Sequence, residues 1–318
     1  MQQSIFSNKT FTGIVLAVTA CIVWSGNFIV ARGVIKQIPP VSLAFFRWTT
    51  AVVILFPIAI KRVMADRKII IRHLRYFLLI SFFGVTIYNT MLYVAGHYVP
   101  AINLALIATT TSPVFAIILA AVFLKEAISA LRIAGLAICI AGIVLLISKG
   151  SWQNLKNFQF TAGDLWAIAG AFTFAVYNVL VKKKPGGISA ISFLFAIFFL
   201  GDVMLAPAFI YETYTGPAVH WNINLALVIL YLGAGACVIS YLCWNIAISK
   251  LGAARTAIFG NLIPVFSIIE AILILNERFL FIHLVSSILV ITGLIIANSK
   301  KANRTNTAYT KKKKILAQ

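Results

Sequence analysis

The chain has 318 residues, of which 61% are hydrophobic and only 11% charged, and its formal net charge is +20. A soluble domain carries roughly 25% charged residues, so these proportions leave too little polar surface to face water and exclude an ordinary soluble enzyme or binding module. The 27 lysines and arginines would suggest nucleic acid in a soluble chain, but they fall in short stretches between apolar runs, so the expected surroundings are a lipid bilayer and no nucleic-acid partner.

A helix crossing a hydrocarbon core of about 30 Å needs about 20 mostly apolar residues. Ten segments meet this requirement, at 11–35, 41–60, 75–96, 101–124, 130–148, 163–181, 188–211, 223–247, 253–275 and 280–298. The first carries Trp24, Ser25 and Asn27 near mid-depth, with Arg32 towards its end. The second places Arg47 about six residues inside and leads into a basic connection from Lys61 to Arg75. The third holds Tyr88 and Asn89. The fourth runs through Thr109–Ser112, with Thr110 among them, to Pro113 and closes at Glu126. A fifth, glycine-bearing segment precedes a polar linker at 149–162. The sixth brings Tyr177 and Asn178, the seventh Asp202, and the eighth Ser240, Tyr241 and Trp244. The ninth contains Asn261, Pro264 and Glu270 and closes at Glu277. A tenth segment precedes a basic tail at 299–318, which reads as disordered.

Lysine and arginine are concentrated on the cytoplasmic side of membrane proteins. With the N-terminus inside, twenty-one bases fall on the inner side and five on the outer, with Arg47 within a segment. This bias predicts that both termini are cytoplasmic, which requires an even number of spans.

The chain also repeats itself. At a shift of 151 residues Pro113-Val114-Phe115 falls on Pro264-Val265-Phe266, Ile117-Ile118 on Ile268-Ile269, Ala120 on Ala271, Leu124 on Leu275 and Glu126 on Glu277. An aligned proline and an aligned terminal glutamate at one offset indicate duplication. Each half, 11–148 and 163–298, then holds five segments. Because five is odd, the halves enter the membrane from opposite sides. The expected fold is an all-α integral membrane protein of ten transmembrane helices in two inverted five-helix repeats, an arrangement found in secondary transporters whose substrate sites lie near the midplane.

These residues resemble the drug/metabolite transporter superfamily, specifically its EamA type. The resemblance rests on Trp24-Ser25-Gly26-Asn27-Phe28, Phe46-Arg47, the Pro-Val-Phe…Glu stretch with its copy, and the glycine-bearing fifth and tenth segments. The second half departs from it, with Phe174-Ala175-Val176-Tyr177-Asn178 where the Trp-Ser-Gly-Asn pattern would fall. The resemblance implies an alternating-access carrier of small organic metabolites, commonly an exporter of bacterial inner membranes. It also implies a central cavity walled by segments one to four and six to nine, with five and ten to one side supporting the bundle or a dimer contact.

Polar groups inside a bilayer are costly and mark function. The expected substrate-binding residues are Trp24, Ser25, Asn27, Tyr88, Asn89, Thr110, Tyr177, Asn178, Tyr241, Trp244 and Asn261. Arg47, Asp202 and Glu270 are candidates for charge recognition or energy coupling, with a structural Arg47–carboxylate pair as the competing reading. Pro113 and Pro264 are candidate hinges, since each removes a helical hydrogen bond. Glu126 and Glu277 read as structural helix-end groups with Arg132 and Arg278 as partners. Cys21, Cys139, Cys237 and Cys243 lack metal-ligand spacing and read as small packing residues; no metal and no cofactor is expected. The histidines form no His-Glu-x-x-His pattern and there is no Gly-x-Ser-x-Gly elbow, so the chain is not expected to be an enzyme. The leading expectation is efflux of amino acids or related metabolites by a monomer or homodimer. The alternatives are uptake or exchange of a nucleoside-like solute such as S-adenosylmethionine, or a receptor or scaffold that moves nothing.

Overall fold

The computed structural model describes residues 8–124, 129–156, 161–251, 256 and 259–298. Glu126 and the basic tail lie outside the described residues, as do residues 252–255 at the start of the ninth expected segment. Among the described residues there are only helices and turns. The apolar helices are α1 Asn8–Gly33, α2 Pro40–Arg72, α3 Leu74–Gly96, α4 Ala101–Leu124 and α5 Ala130–Ile147. They continue as α6 Ala162–Val181, α7 Ala190–Thr215, α8 Ile223–Leu251, α9 Gly260–Leu275 and α10 Phe281–Asn298. Seven are long and apolar enough to cross a membrane, and α5, α9 and α10 are shorter. A bilayer offers no partner for free backbone N–H and C=O groups, so apolar runs of this length close their hydrogen bonds internally as helices.

The packing carries the duplication into three dimensions. Across the halves α2 packs on α7, α4 on α9 and α5 on α10; α1 packs on α8 and α9, and α6 on α3 and α4. Exchanging α1 with α6, α3 with α8 and α4 with α9 returns the same set of pairs. The molecule is therefore two five-helix repeats about a pseudo-two-fold axis, and their odd helix count makes the repeats inverted.

Acidic side chains tie the repeats together at their ends. Glu212, at the end of α7, accepts from the backbone N–H of Val41 at 3.1 Å and of Ser42 at 2.6 Å, and from the Ser42 hydroxyl at 2.7 Å. Asp66, near the end of α2, accepts from the N–H of Ser189 at 3.0 Å, the cap of α7. Each helix of the α2–α7 pair thus ends in a carboxylate that caps the start of the other. Glu277, beyond the end of α9, takes the N–H groups of Ala101 at 2.7 Å and Ile102 at 3.1 Å, the first donors of α4. Its partner is a helix N-terminus, where free donors and the dipole favour an anion, and the structure gives it no bond to Arg278. Glu277→Ala should destabilise the protein by about 1–2 kcal/mol, and Glu277→Gln by less, read as a lower unfolding midpoint in detergent.

Two features differ from the sequence expectation. The basic stretch after residue 60 continues α2 to Arg72, giving a helix about 50 Å long at 1.5 Å per residue. Lys, Arg, Met and Ala are good helix formers, and the extension delivers Asp66 to α7. Second, α3 and α8 each contain a π-helical stretch, Phe82–Ile87 and Tyr231–Ile239. Each widened turn takes part in a close glycine–tyrosine contact. The Tyr177 ring lies on Gly84, and the Tyr231 hydroxyl lies on Gly26 and donates to the carbonyl of Val23 at 2.6 Å. The α6–α3 and α1–α8 contacts are equivalent by the pseudo-symmetry, with glycine and tyrosine exchanged between the partners. This exchange accounts for Tyr177 standing where the first half has Gly26.

Helices α5 and α10 form their own seam. A Cβ on Gly293 would sit 2.6 Å from the Gly135 carbonyl oxygen and 2.8 Å from the Cys139 nitrogen, so the helices meet backbone to backbone, as small residues allow in membranes. Cys139 is fully buried there beside Val290 and Leu294.

Candidate functional site

The centre of the bundle is organised by Arg47. A guanidinium is charged at any working pH and presents its donors in a rigid fork. Here Nη1 lies 2.8 Å from Asn27 Oδ1, 2.6 Å from Asn89 Oδ1 and 2.8 Å from the Tyr93 hydroxyl, while Nε donates to Cys237 Sγ at 3.1 Å. The Tyr93 hydroxyl donates in turn to Asn27 Oδ1 at 2.9 Å. The guanidinium carbon sits 4.8 Å over the Trp48 ring. One side chain of α2 therefore gathers α1, α3 and α8, and Arg47 is only 5% exposed. Asn89 and Tyr93 can both reach it because residues four apart share one helix face, just beyond the π turn of α3.

Every one of these partners is neutral. Among the described residues Arg47 has no carboxylate partner, so the structural Arg47–carboxylate pair considered from sequence is not formed. Asp202 Oδ2 instead accepts from the Thr49 hydroxyl at 2.9 Å across the α2–α7 contact, with Oδ1 buried and without a partner. Glu270 Oε1 lies 2.7 Å from Ser25 Oγ across the α1–α9 contact, with Oε2 buried and without a partner.

Two aromatic groups flank the cation. Trp24 packs on Tyr241 and Trp244 with ring centroids 5.5 and 5.2 Å apart, and its indole N–H donates to the Ala236 carbonyl at 3.0 Å. On the other side Tyr88 stacks on Phe174 at 4.5 Å, which stacks on Tyr177 at 5.6 Å. Tyr177 and Tyr241 lie within electrostatic range of one another, which brings the two groups together.

The structure thus brings together Trp24, Asn27, Arg47, Tyr88, Asn89, Tyr177, Tyr241 and Trp244, with Ser25 turned towards Glu270. Other residues singled out from sequence are placed elsewhere. Thr110 is fully buried and donates to the carbonyl of Leu106 at 2.5 Å in its own helix, a common use of a threonine inside a helix. Asn178 is half-buried, with no hydrogen bond to the described residues. Asn261 sits in a 3₁₀ turn, Gly260–Leu262, that opens α9. Pro264 follows at the start of the regular α-helix Ile263–Leu275, where a missing N–H costs least, whereas Pro113 lies inside α4. The equivalent prolines therefore occupy different local backbones. Tyr93, which reads from sequence only as one of the aromatic residues at this depth, and Cys237, which reads as a packing residue, both bond Arg47; the signal for Tyr93 was its four-residue spacing from Asn89.

Among the described residues Arg47 and its partners are closely packed, with Asn89 and Tyr93 2% and 1% exposed. Two hollows, of about 260 and 460 Å³, lie instead at the end of the bundle that holds Lys36 and Gln37. That end is laced shut. Arg32 donates to the carbonyls of Gly96 at 3.1 Å and His97 at 3.3 Å, the His220 N–H donates to the Gln37 carbonyl at 2.8 Å, and Glu212 and Glu277 hold α2 and α4. Burial and the adjacent Arg32 guanidinium hold the His97 imidazole pKa below its ordinary value, with Glu212 opposing them.

The sequence model of the EamA-like transporter family matches residues 11–148 and 161–299. An uncharacterized transporter of Archaeoglobus fulgidus is 28% identical over 91% of this chain and 98% of its own. A probable amino-acid metabolite efflux pump of Escherichia coli is 28% identical over 89% of this chain and 93% of its own. Among solved structures, a protein crystal structure superposes with a TM-score of 0.60 at 18% identity, over 90% of this chain and 96% of that one, which marks a shared fold.

Proposed function

The chain belongs to the EamA-like transporter family, and from that membership we propose that it exports amino acids or related carboxylate-bearing metabolites across a bacterial inner membrane by alternating access. The observation that carries the substrate class is Arg47. A buried cation whose described partners are all neutral is unbalanced in a medium where ionised groups pair. A guanidinium fork fits a carboxylate in two parallel hydrogen bonds. A substrate carboxylate supplies the missing charge, and the apolar part of the substrate lies against Trp24, Tyr241 and Trp244 or against Tyr88 and Phe174. The similarity to an amino-acid metabolite efflux pump supports the same class.

The remaining parts of the reading follow from charge and symmetry. The base-rich ends face the cytoplasm with both termini, and the closed end holding Arg32 faces outward. The inverted repeats supply two related conformations by exchanging roles about the pseudo-two-fold axis. Alternating access then amounts to parting the contacts that Arg47 gathers, first on one side and then on the other.

Titration of the purified protein with amino acids and with their α-amides tests the carboxylate contact. The free acids should raise the unfolding midpoint and the amides should not, since only the acids meet Arg47. Equal stabilisation by both would remove Arg47 from recognition. The aromatic groups favour one second reading, in which a planar cationic solute such as S-adenosylmethionine stacks on Trp24 and Tyr241 and is taken up or exchanged. Stabilisation by that solute and by no simple amino acid would select it.

A further inference from the structure

The described acids divide by what surrounds them. Glu212 and Glu277 each accept two backbone N–H donors from another helix, Asp66 accepts the capping N–H of α7, and Asp164 accepts the Thr161 N–H and hydroxyl at 2.9 and 2.7 Å. Those are surroundings for ionised carboxylates. Asp202 and Glu270 are different: each meets a single hydroxyl, of Thr49 and of Ser25, and keeps its other oxygen buried without a partner. Of the two, only Glu270 meets a hydroxyl that also lies on a carbonyl oxygen.

Ser25 Oγ lies 2.7 Å from Glu270 Oε1 and 2.6 Å from the carbonyl oxygen of Ile22. A hydroxyl has one hydrogen to give, and a carbonyl has none. If Glu270 is ionised, Ser25 faces two acceptors with one hydrogen, and one of the contacts is a repulsion between oxygens. If the carboxyl is protonated, both contacts become hydrogen bonds, with Glu270 donating to Ser25 and Ser25 donating to Ile22. The second carboxyl oxygen points the same way, since it is buried without a partner and an ionised group there would lack donors.

Among the described residues, no other group near Glu270 supplies a counter-charge. Helix α4, which packs on α9, has no titratable side chain among its described residues. On α1, Cys21 lies one turn from Ser25 and its thiol is held on the Phe259 carbonyl, while Arg32 is bound to α3 at the far end. From α8, Tyr231 lies within electrostatic range of both Glu270 and Arg47, but its hydroxyl is committed to Val23.

We propose that Glu270 is a proton-binding site and that this conformation is its proton-loaded state. The proton comes from one aqueous compartment, is carried on a carboxyl oxygen bonded to Ser25 Oγ, and leaves to the other compartment when α1 and α9 part. Helix α1 couples the two events, because Ser25 meets the proton site and Asn27, two residues on, meets Arg47. The resulting activity is proton antiport. The coupling rests on the export reading above, whereas the protonation of Glu270 does not.

Glu270→Gln tests both parts, since the amide N–H can donate to Ser25 as the acid does but carries no exchangeable charge. In infrared spectra at neutral pH, the carbonyl band of a protonated carboxylic acid, recognised by its shift in heavy water, should be present in the wild type and diminished in Glu270→Gln. An unchanged band would overturn the proposal whether or not the variant transports. In proteoliposomes, a pH gradient should drive uphill accumulation by the wild type, and in Glu270→Gln this response should be lost. Full gradient-driven accumulation by the variant would equally overturn the proposal. Absence of flux in the wild type would count against the export reading, and the infrared band would still decide the state of Glu270.

Discussion

Arg47→Lys should lower the transport rate by about a hundredfold or more, with Arg47→Ala no better. A lysine ammonium is a single point charge on a flexible stem and cannot hold Asn27, Asn89, Tyr93 and Cys237 in the positions that the guanidinium gives them. Hydrogen bonds to charged groups are worth about 1.5–3 kcal/mol each, and about 1.4 kcal/mol is a tenfold change in rate, so losing two of them accounts for the expected effect. The substitution removes the substrate's counter-charge in the alanine variant and misplaces it in the lysine variant. Initial rates of labelled substrate entry into proteoliposomes, normalised to folded protein by size-exclusion profile, check the expectation. A lysine variant within a few-fold of wild type would mean that charge alone suffices and the fork is unused.

Gly96→Val should be the most damaging of the glycine substitutions for folding. A Cβ at Gly96 runs into the backbone carbonyl group of Ala31 on α1. Backbone cannot give way as a flexible side chain can, and Arg32, the next residue, is bound to Gly96 and His97, so α1 and α3 are clamped where the clash falls. Overpacking typically costs about 1–3 kcal/mol, and the loss here should lie at or beyond the upper end. The unfolding midpoint and the monodisperse yield should both fall. Gly186→Ala is the matching control, since a Cβ there meets nothing within 4 Å, and it should leave both unchanged.

Much of the fold was legible because the bilayer enforces it. Runs of about 20 apolar residues must be helical, and the Pro-Val-Phe…Glu copy by itself places the second repeat. The end of α2 was not legible in the same way, because Lys61–Arg72 is too polar to count as membrane and the contact of Asp66 with Ser189 cannot be counted along a sequence. The π stretches were also hidden, since the apolar pattern of Phe82–Ile87 does not set it apart from ordinary helix; in the fold the stretch coincides with the close approach of Tyr177 to Gly84.

At the site, residue type and depth identified Asn27, Arg47 and Asn89, because ionised and amide groups inside a membrane are rare enough to stand out. They did not identify the partners. Cys237 read as a packing residue and in the structure accepts from Arg47, a role that depends on the register of α8 against α2. Glu277 read as a neighbour of Arg278 and instead caps α4, 176 residues away in the chain. Thr110 had the right depth, but its hydroxyl is occupied by its own helix. Depth can be counted along a sequence, whereas the direction a side chain faces depends on how the helices are rotated against one another.

The most direct measurement is counterflow in proteoliposomes loaded with unlabelled amino acids, followed as entry of a trace of the labelled acid with the labelled α-amide run in parallel. The expected result is transient accumulation of the acid above the level in protein-free vesicles, with no accumulation of the amide. Equal movement of acid and amide, or no movement of either from protein shown to be folded, would contradict a carrier that recognises its substrate through Arg47.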